Sequence, residues 1–226
     1  MAAERQEDFW SIQQRKAQAF DFRVFDSPFE LEDALRAHTP KRTVRLVSSY
    51  SRKWKTEGMV SPHKGPQEGQ DFCEPVQVDG QIRLWAKPWN VIPKGSDYTS
   101  FIQARPGSAM ELDPLCEVGC PYAVRGFDYH YLGLIWLDDL LWRDGRWVVQ
   151  VDRVLESGIS VITARAAKEG AFAPFGPHGE LLRHKVAQAY RILMTRAIHG
   201  LYVWASDEET RAHLRASLGK ALPASS

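Results

Sequence analysis

An α/β layered fold, one sheet with flanking helices, is what this 226-residue chain predicts, and three observations predict it. Short β-rich segments alternate with helical ones, the pattern of a largely parallel sheet with helices packed against it. The segment Leu132 to Trp136 (LGLIW) is continuously apolar, as suits a strand buried on both faces. Near the C-terminus a long helical stretch, Glu180 to His199, is followed by the strand-like Leu201 to Ala205 and a new helix start at Ser206-Asp207-Glu208-Glu209.

In chain order, Glu4 to Phe20 reads as a polar helix, so residues 1–20 form a lead-in. Asp21 to Phe25 (DFRVF) alternates polar and apolar and predicts a strand. Ser27-Pro28-Phe29-Glu30 has the form of a capping box, with Ser27 as N-cap, Pro28 at the first helical position and Glu30 reaching back, and predicts a helix to about Ala37. Thr43 to Ser49 is β-rich and predicts the next strand. Residues 52–80, rich in Gly, Pro, Lys and Gln, show no long periodic stretch and predict an insertion or long loop. Gln81 to Trp85 and Cys116 to Cys120 are short strand candidates, and residues 86–114 carry no clear pattern between them. Leu141 to Val151 predicts a hairpin around Asp144-Gly145, a favoured turn pair. Residues 170–179 predict a loop. Gly200 is expected to stop the long helix, and Gly219 the last one. The unit thus runs from 21 to 219, and 220–226 is a tail that should fray.

Composition narrows the function classes. Hydrophobic residues make up 44% and charged residues 25%, enough to bury a core without metals or disulfides. The net charge of +1 argues against coating nucleic acid by charge alone, though not against a local basic patch. Three cysteines suggest a reducing compartment rather than a disulfide framework, and without an apolar span or signal-peptide core the chain is expected in the cytoplasm, away from membranes.

Motifs narrow them further. Neither Gly-x-x-x-x-Gly-Lys-Ser/Thr nor Gly-x-Gly-x-x-Gly occurs, so the chain's own residues do not assign nucleotide hydrolysis. Cys116 and Cys120 on a strand would lie roughly 13 Å apart, too far for one ion, and read as small core hydrophobes. No metal site is expected. Asp138-Asp139 follows a central strand, where α/β sites form, but adjacent carboxylates usually point apart and a solvated turn is the expected reading. Arg52, Lys53, Trp54 and Lys55 form a basic-aromatic patch that could stack and neutralise a DNA or RNA single strand, or could be a solvated loop with an anchoring Trp. Arg191 and Arg196, on the predicted helix, flank Ile192-Leu193-Met194. Each either stretches along the surface on a buried stem or aims at an anion across an interface.

The segment Gln188 to Gly200, QAYRILMTRAIHG, resembles the sixth helicase motif of superfamily 1 enzymes, and most closely that of the Schlafen-like DNA/RNA helicase family found in bacteria. DFRVFDSPFEL (21–31), RLVSSYSRKW (45–54), KPWN (87–90), EVGCPYAVRGFDYHYLGLI (117–135) and DLLWRDGRW (139–147) resemble further segments of that family in the same order. The likeness covers roughly 15–218. It implies a second RecA-like helicase lobe, without the Walker A lobe that holds ATP and Mg²⁺ phosphates. It implies that Arg196 reaches across the cleft to the γ-phosphate, with Arg191 as companion, and that Gly126 lies where the fifth-motif backbone approaches nucleotide or strand. In that motif the family's Thr-x-Gln-Gly-x-Glu-Phe-Asp becomes Ala123 to His130, placing Arg125 for Gln, Asp128 for Glu and His130 for Asp. These departures put ATP and strand coupling in question and leave open a degenerate, non-catalytic domain that binds nucleic acid or protein.

Overall fold

A computed structural model describes residues 20–92, 106–170, 172 and 175–221. The lead-in helix read from Glu4 and most of the tail lie outside these residues. The elements in order are β1 (Asp21–Val24), α1 (Pro28–Arg36), β2 (Val44–Ser48), β3 (Phe72–Val78), β4 (Gln81–Lys87), α2 (Ala109–Leu112), β5 (Val118–Gly119), β6 (Tyr129–Trp136), β7 (Leu140–Arg143), β8 (Arg146–Val149), α3 (Ser160–Ala166), α4 (Pro177–Met194), β9 (Ala197–Ala205) and α5 (Glu208–Ala221). Five strands form one sheet in the order β1-β9-β6-β2-β5. Every pairing in it is parallel. This is the α/β layered sheet expected of a single RecA-like lobe.

Alternation along the central strands builds two cores. On one face Val44, Leu46, Tyr131, Ile135, Tyr202 and Trp204 pack with Leu31 and Leu35 of α1 and with Phe72, Trp85 and Trp89. On the other, Leu132, Leu134, Trp136, Leu201 and Val203 pack under Leu182, Val186, Tyr190 and Leu193 of α4. The spacing of those four α4 residues is one stripe of a helix. α1 starts where its sequence predicts, with Ser27 as N-cap: Pro28 is the first helical residue, and the Ser27 hydroxyl accepts the Phe29 N–H at 3.1 Å. A buried ion pair, Arg45 to Glu117 at 2.6 Å with both side chains at most 2% exposed, ties β2 to the approach to β5. Among the described residues no helix is long and apolar enough to cross a membrane.

Several sequence readings need correction. Residues 52–80 are not a loop throughout. β3 pairs antiparallel with β4 across Asp79-Gly80, whose φ angles of 49° and 78° make the same left-handed turn as Asp144-Gly145. The hairpin is docked by Glu32, which accepts from the Trp85 indole at 2.9 Å and from Lys87 at 2.8 Å. Asp71 fixes the chain before it, accepting backbone N–H groups of Lys55 (2.5 Å), Thr56 (3.1 Å) and Trp89 (2.7 Å). In KPWN, Asn90 takes φ 46° and its side-chain oxygen accepts the Cys120 N–H at 2.9 Å, pinning β5.

The long helix begins earlier and ends earlier than predicted. α4 runs from Pro177, within the predicted loop, to Met194, and the chain enters β9 at Ala197. Thr195 turns its hydroxyl back to the Arg191 carbonyl at 2.9 Å. Helical composition in 197–199 is overridden by the open edge of β6, and Arg196 therefore lies in the turn, not on the helix. Gly200 is a strand residue, not a helix stop. A Cβ there would lie 2.6 Å from the Tyr131 ring and 2.8 Å from the Asp21 carbonyl. Finally, Asp207 rather than Ser206 caps α5, accepting the Thr210 N–H at 2.8 Å, while Ser206 donates to Asp138 at 2.8 Å. Gly219 lies inside α5, which continues to Ala221.

The packing at Gly200 makes a first prediction. Gly200→Ala must displace Tyr131 or spread β1 from β9, and should cost about 1–3 kcal/mol. Urea denaturation of the two proteins measures it, and an unchanged midpoint would refute the close approach.

Candidate functional site

The residues before β6 and before β9 become neighbours because these strands pair in parallel, with Tyr129 opposite Ala197. The Tyr129 N–H donates to the Arg196 carbonyl at 2.8 Å. Immediately beyond, the register shifts, so that Tyr131 faces Gly200. Such a bulge re-aims the chain beside it. Across this junction Arg196 lies 3.4 Å from Asp128. Gly126, at φ 87°, supplies the left-handed turn that brings the preceding segment back to β6.

From this junction an open groove of about 430 Å³ runs along α4. Its walls are α4, through Lys185, Gln188 and Ile192, and the segment after β5, through Tyr122 and Arg125. Arg125 and Arg196 line it together, while Tyr50 and Glu156 contribute from two further loops. Tyr50 and Tyr122 meet edge to face at 5.7 Å, and the Tyr122 hydroxyl donates to Glu156 at 3.4 Å. The groove therefore combines an apolar lining with three cations, Arg125, Lys185 and Arg196, a combination suited to an anionic ligand with a flat or apolar part.

Its floor carries a buried carboxyl. Asp139 is 2% exposed, so the solvated-turn reading is corrected. The Tyr190 hydroxyl donates to it at 2.6 Å, and Ser49 Oγ lies 3.1 Å from the Tyr190 oxygen. Tyr190 also stacks on Trp136 at 3.8 Å. Burial pushes the Asp139 carboxyl up to about 6, against the lowering effect of hydrogen bonds from Tyr190 and Ser49. Burial, and then the Asp139 charge, raises the Tyr190 hydroxyl well above its ordinary value. The spacing of Leu182, Val186 and Tyr190, four residues apart each, is the signal that marks Tyr190 as a core position. The burial of Asp139 was not legible in the sequence, because it follows from where α4 lands.

The other candidate residues lie apart. Arg191 is exposed on α4 and does not line the groove. Arg52, Lys53 and Lys55 line a separate concavity, where Arg52 is held by Glu74 at 2.6 Å and Lys55 donates to the Gln70 carbonyl at 2.9 Å. Asp138, on the outer side, lies 3.9 Å from Arg52. Trp54 is half-buried and packs against the core beside them. Cys120 is buried, and burial pushes the Cys116 thiol up to about 12. Among the described residues no cluster of three or more His, Cys, Asp or Glu is placed to hold a metal.

Comparison with known families now defines the class. The model of the Schlafen group 3 DNA/RNA helicase domain matches residues 3–207, which makes this a helicase-domain protein. The chain belongs to the Schlafen group 3 helicase-domain family. Comparison with curated proteins and with solved structures gives no match.

The floor carboxyl yields a stability prediction. Its folded pKa is raised above the ordinary 3.8, so the folded state binds the extra proton. The associated stability is fully present below about pH 4, falls as pH rises to about 6, and is level above that. A shift of about two units corresponds to about 3 kcal/mol. Asp139→Asn cannot ionise, so relative to wild type it should gain about 2 kcal/mol between pH 4.5 and 7.5. Urea titrations of both proteins at the two pH values read this, and a pH-independent difference contradicts it.

Proposed function

We propose that the chain is the second, nucleotide-sensing lobe of a superfamily 1 helicase, and that Arg196 completes an ATP site whose phosphate-binding loop another lobe supplies, in cis or in trans. The observation that carries this reading is that Arg196 and Arg125, distant in sequence, line the same open groove. Asp128 lies 3.4 Å from the Arg196 guanidinium, with the Arg196 side chain one third exposed and that of Asp128 more than half. This pair is weak enough to be exchanged for a phosphate, since an exposed ion pair is worth about 1 kcal/mol or less.

The residues present fit the phosphate end of such a ligand and not its metal. Arg125, Lys185 and Arg196 are the cations this chain can turn toward a triphosphate, and Gly126 lets the backbone approach. Mg²⁺ ligands and the Walker A lysine would come from the partner lobe. At the composite site, Arg196 places a planar cation against charge that builds on the transferred phosphoryl group. In this reading Arg191, exposed one turn back on α4 and outside the groove lining, would meet the partner lobe.

A second reading has its own observation. Ala123 is a buried core residue, 1% exposed, where the motif that the segment resembles begins with a threonine. A lobe in which alanine replaces that threonine would bind a nucleic acid or protein without nucleotide chemistry.

Alone, the chain should show no ATP turnover above background, with or without single-stranded DNA or RNA. Fused to or mixed with a Walker A lobe of the same family, it should support turnover that Arg196→Ala lowers by about 10³–10⁵-fold. Arg196→Lys should rescue poorly, because lysine keeps the charge and loses the planar fork. An active pairing indifferent to Arg196→Ala would overturn the proposal. Failure of every pairing, even after Arg125→Gln, would favour the non-catalytic domain.

A further inference from the structure

We propose that the groove binds its phosphate-bearing ligand together with a proton, which the carboxyl of Asp139 at its floor takes up. This rests on the proposed reading of the groove as a site for phosphates, but not on catalysis by Arg196. Asp139 lines the groove and is nevertheless only 2% exposed. It follows β6, and two neutral hydroxyls hold its carboxylate: Tyr190 of α4, donating at 2.6 Å, and Ser49, just after β2. Among the described residues no basic side chain pairs with it. The ionised form is therefore desolvated without a countercharge in contact, which is the costly way to bury a carboxylate.

The charged groups around it act from further away. Asp138, next along the chain, accepts from the Ser206 hydroxyl at 2.8 Å and lies 3.9 Å from Arg52. Glu156, beyond β8, accepts the Gly158 N–H at 3.0 Å and the Tyr122 hydroxyl at 3.4 Å. Lys185 on α4, Arg125 after β5 and Arg196 before β9 bring three cations to the groove, and no histidine lines it. These cations favour the ionised carboxylate at a distance. A phosphate group set among them neutralises that help, adds like charge above Asp139 and displaces water from the groove. All three effects act in one direction, toward the protonated acid. Burial has already brought the carboxyl up to about 6, so the exchange falls near neutral pH. Binding and protonation are linked reciprocally, and the ligand therefore binds more tightly as pH falls. An Asp139 that served only to anchor α4 through Tyr190 would exchange no proton on binding.

The test is isothermal titration calorimetry of the full chain with trimetaphosphate, in buffers of different ionisation enthalpy. This cyclic triphosphate carries charges that do not titrate near neutral pH, so any proton taken up belongs to the protein. A rise of about one unit at Asp139 on binding gives uptake of about half a proton per ligand at pH 6.5, and about eightfold tighter binding at pH 5 than at pH 8. Asp139→Asn, which cannot ionise, should take up no proton and lose most of that pH dependence. Tyr190→Phe, which removes a donor to the ionised form, should move the uptake to higher pH. Arg125→Ala combined with Arg196→Ala should weaken binding about tenfold or more. Wild type that binds without taking up a proton, or uptake that persists in Asp139→Asn, overturns the inference and leaves the nucleotide reading standing. Binding that survives the loss of both arginines also overturns it, by placing the anion outside the groove. If trimetaphosphate does not bind at all, the inference is refuted, while turnover with a Walker A lobe still decides the role of Arg196.

Discussion

The parallel pairing of β6 with β9 is the constraint on which the rest depends. These are the two longest strands of the sheet, and their side chains alternate into both cores. Their register also sets the site. With Tyr129 opposite Ala197, the residues preceding each strand must lie side by side, so Asp128 and Arg196 meet although 68 residues separate them in sequence. Gly200 is what lets the pairing close, since the Tyr131 ring and the β1 backbone occupy the space a side chain would need. A slip of one residue would turn Arg196 away from the groove and reverse both faces of β9.

Helix α4 converts that junction into a groove. It lies on the sheet through one apolar stripe, and Tyr190 anchors it twice, by stacking on Trp136 and by donating to the buried Asp139. The buried carboxyl costs stability when ionised, which is a reason to look for a role beyond packing at the groove floor. Beyond the hydrogen bond from the Leu155 N–H to the Tyr50 carbonyl, the surface changes from a groove with aromatic, apolar and cationic walls to a ring-free concavity of mixed charge. The short segment 150–156 thus contributes to both concavities, Val154 and Glu156 to the groove and Asp152, Arg153 and Leu155 to its neighbour.

Much of this was legible in the sequence. The apolar run of β6, the Ser27-Pro28 helix start and the Asp144-Gly145 turn carry local signals, and local signals were sufficient there. The same Asp-Gly signal at 79–80 was present but lay within a polar stretch, so β3, whose pattern is interrupted by Pro75, read as loop. The end of α4 was not legible, because residues 197–199 are helical in composition and only the β6 edge draws them into the sheet. That misplacement set Arg196 on a helix beside Arg191, when the fold parts them and joins Arg196 to Arg125 instead. Asp139 gave no local sign of burial. Its environment is assembled from Ser49, Trp136 and Tyr190, residues that meet only in the folded chain.

Membership of the Schlafen group 3 helicase-domain family gives the groove its context, and the β6–β9 junction gives it a specific arginine. The most direct measurement is a structure of the chain joined to a Walker A lobe, with Mg²⁺ and a nucleotide mimic of the phosphoryl-transfer transition state bound. The account predicts that the β6–β9 register is unchanged and that Arg196 has left Asp128 to reach the terminal phosphate mimic, with Arg125 beside it. Arg196 still paired with Asp128, and the phosphates bound away from this groove, would contradict it.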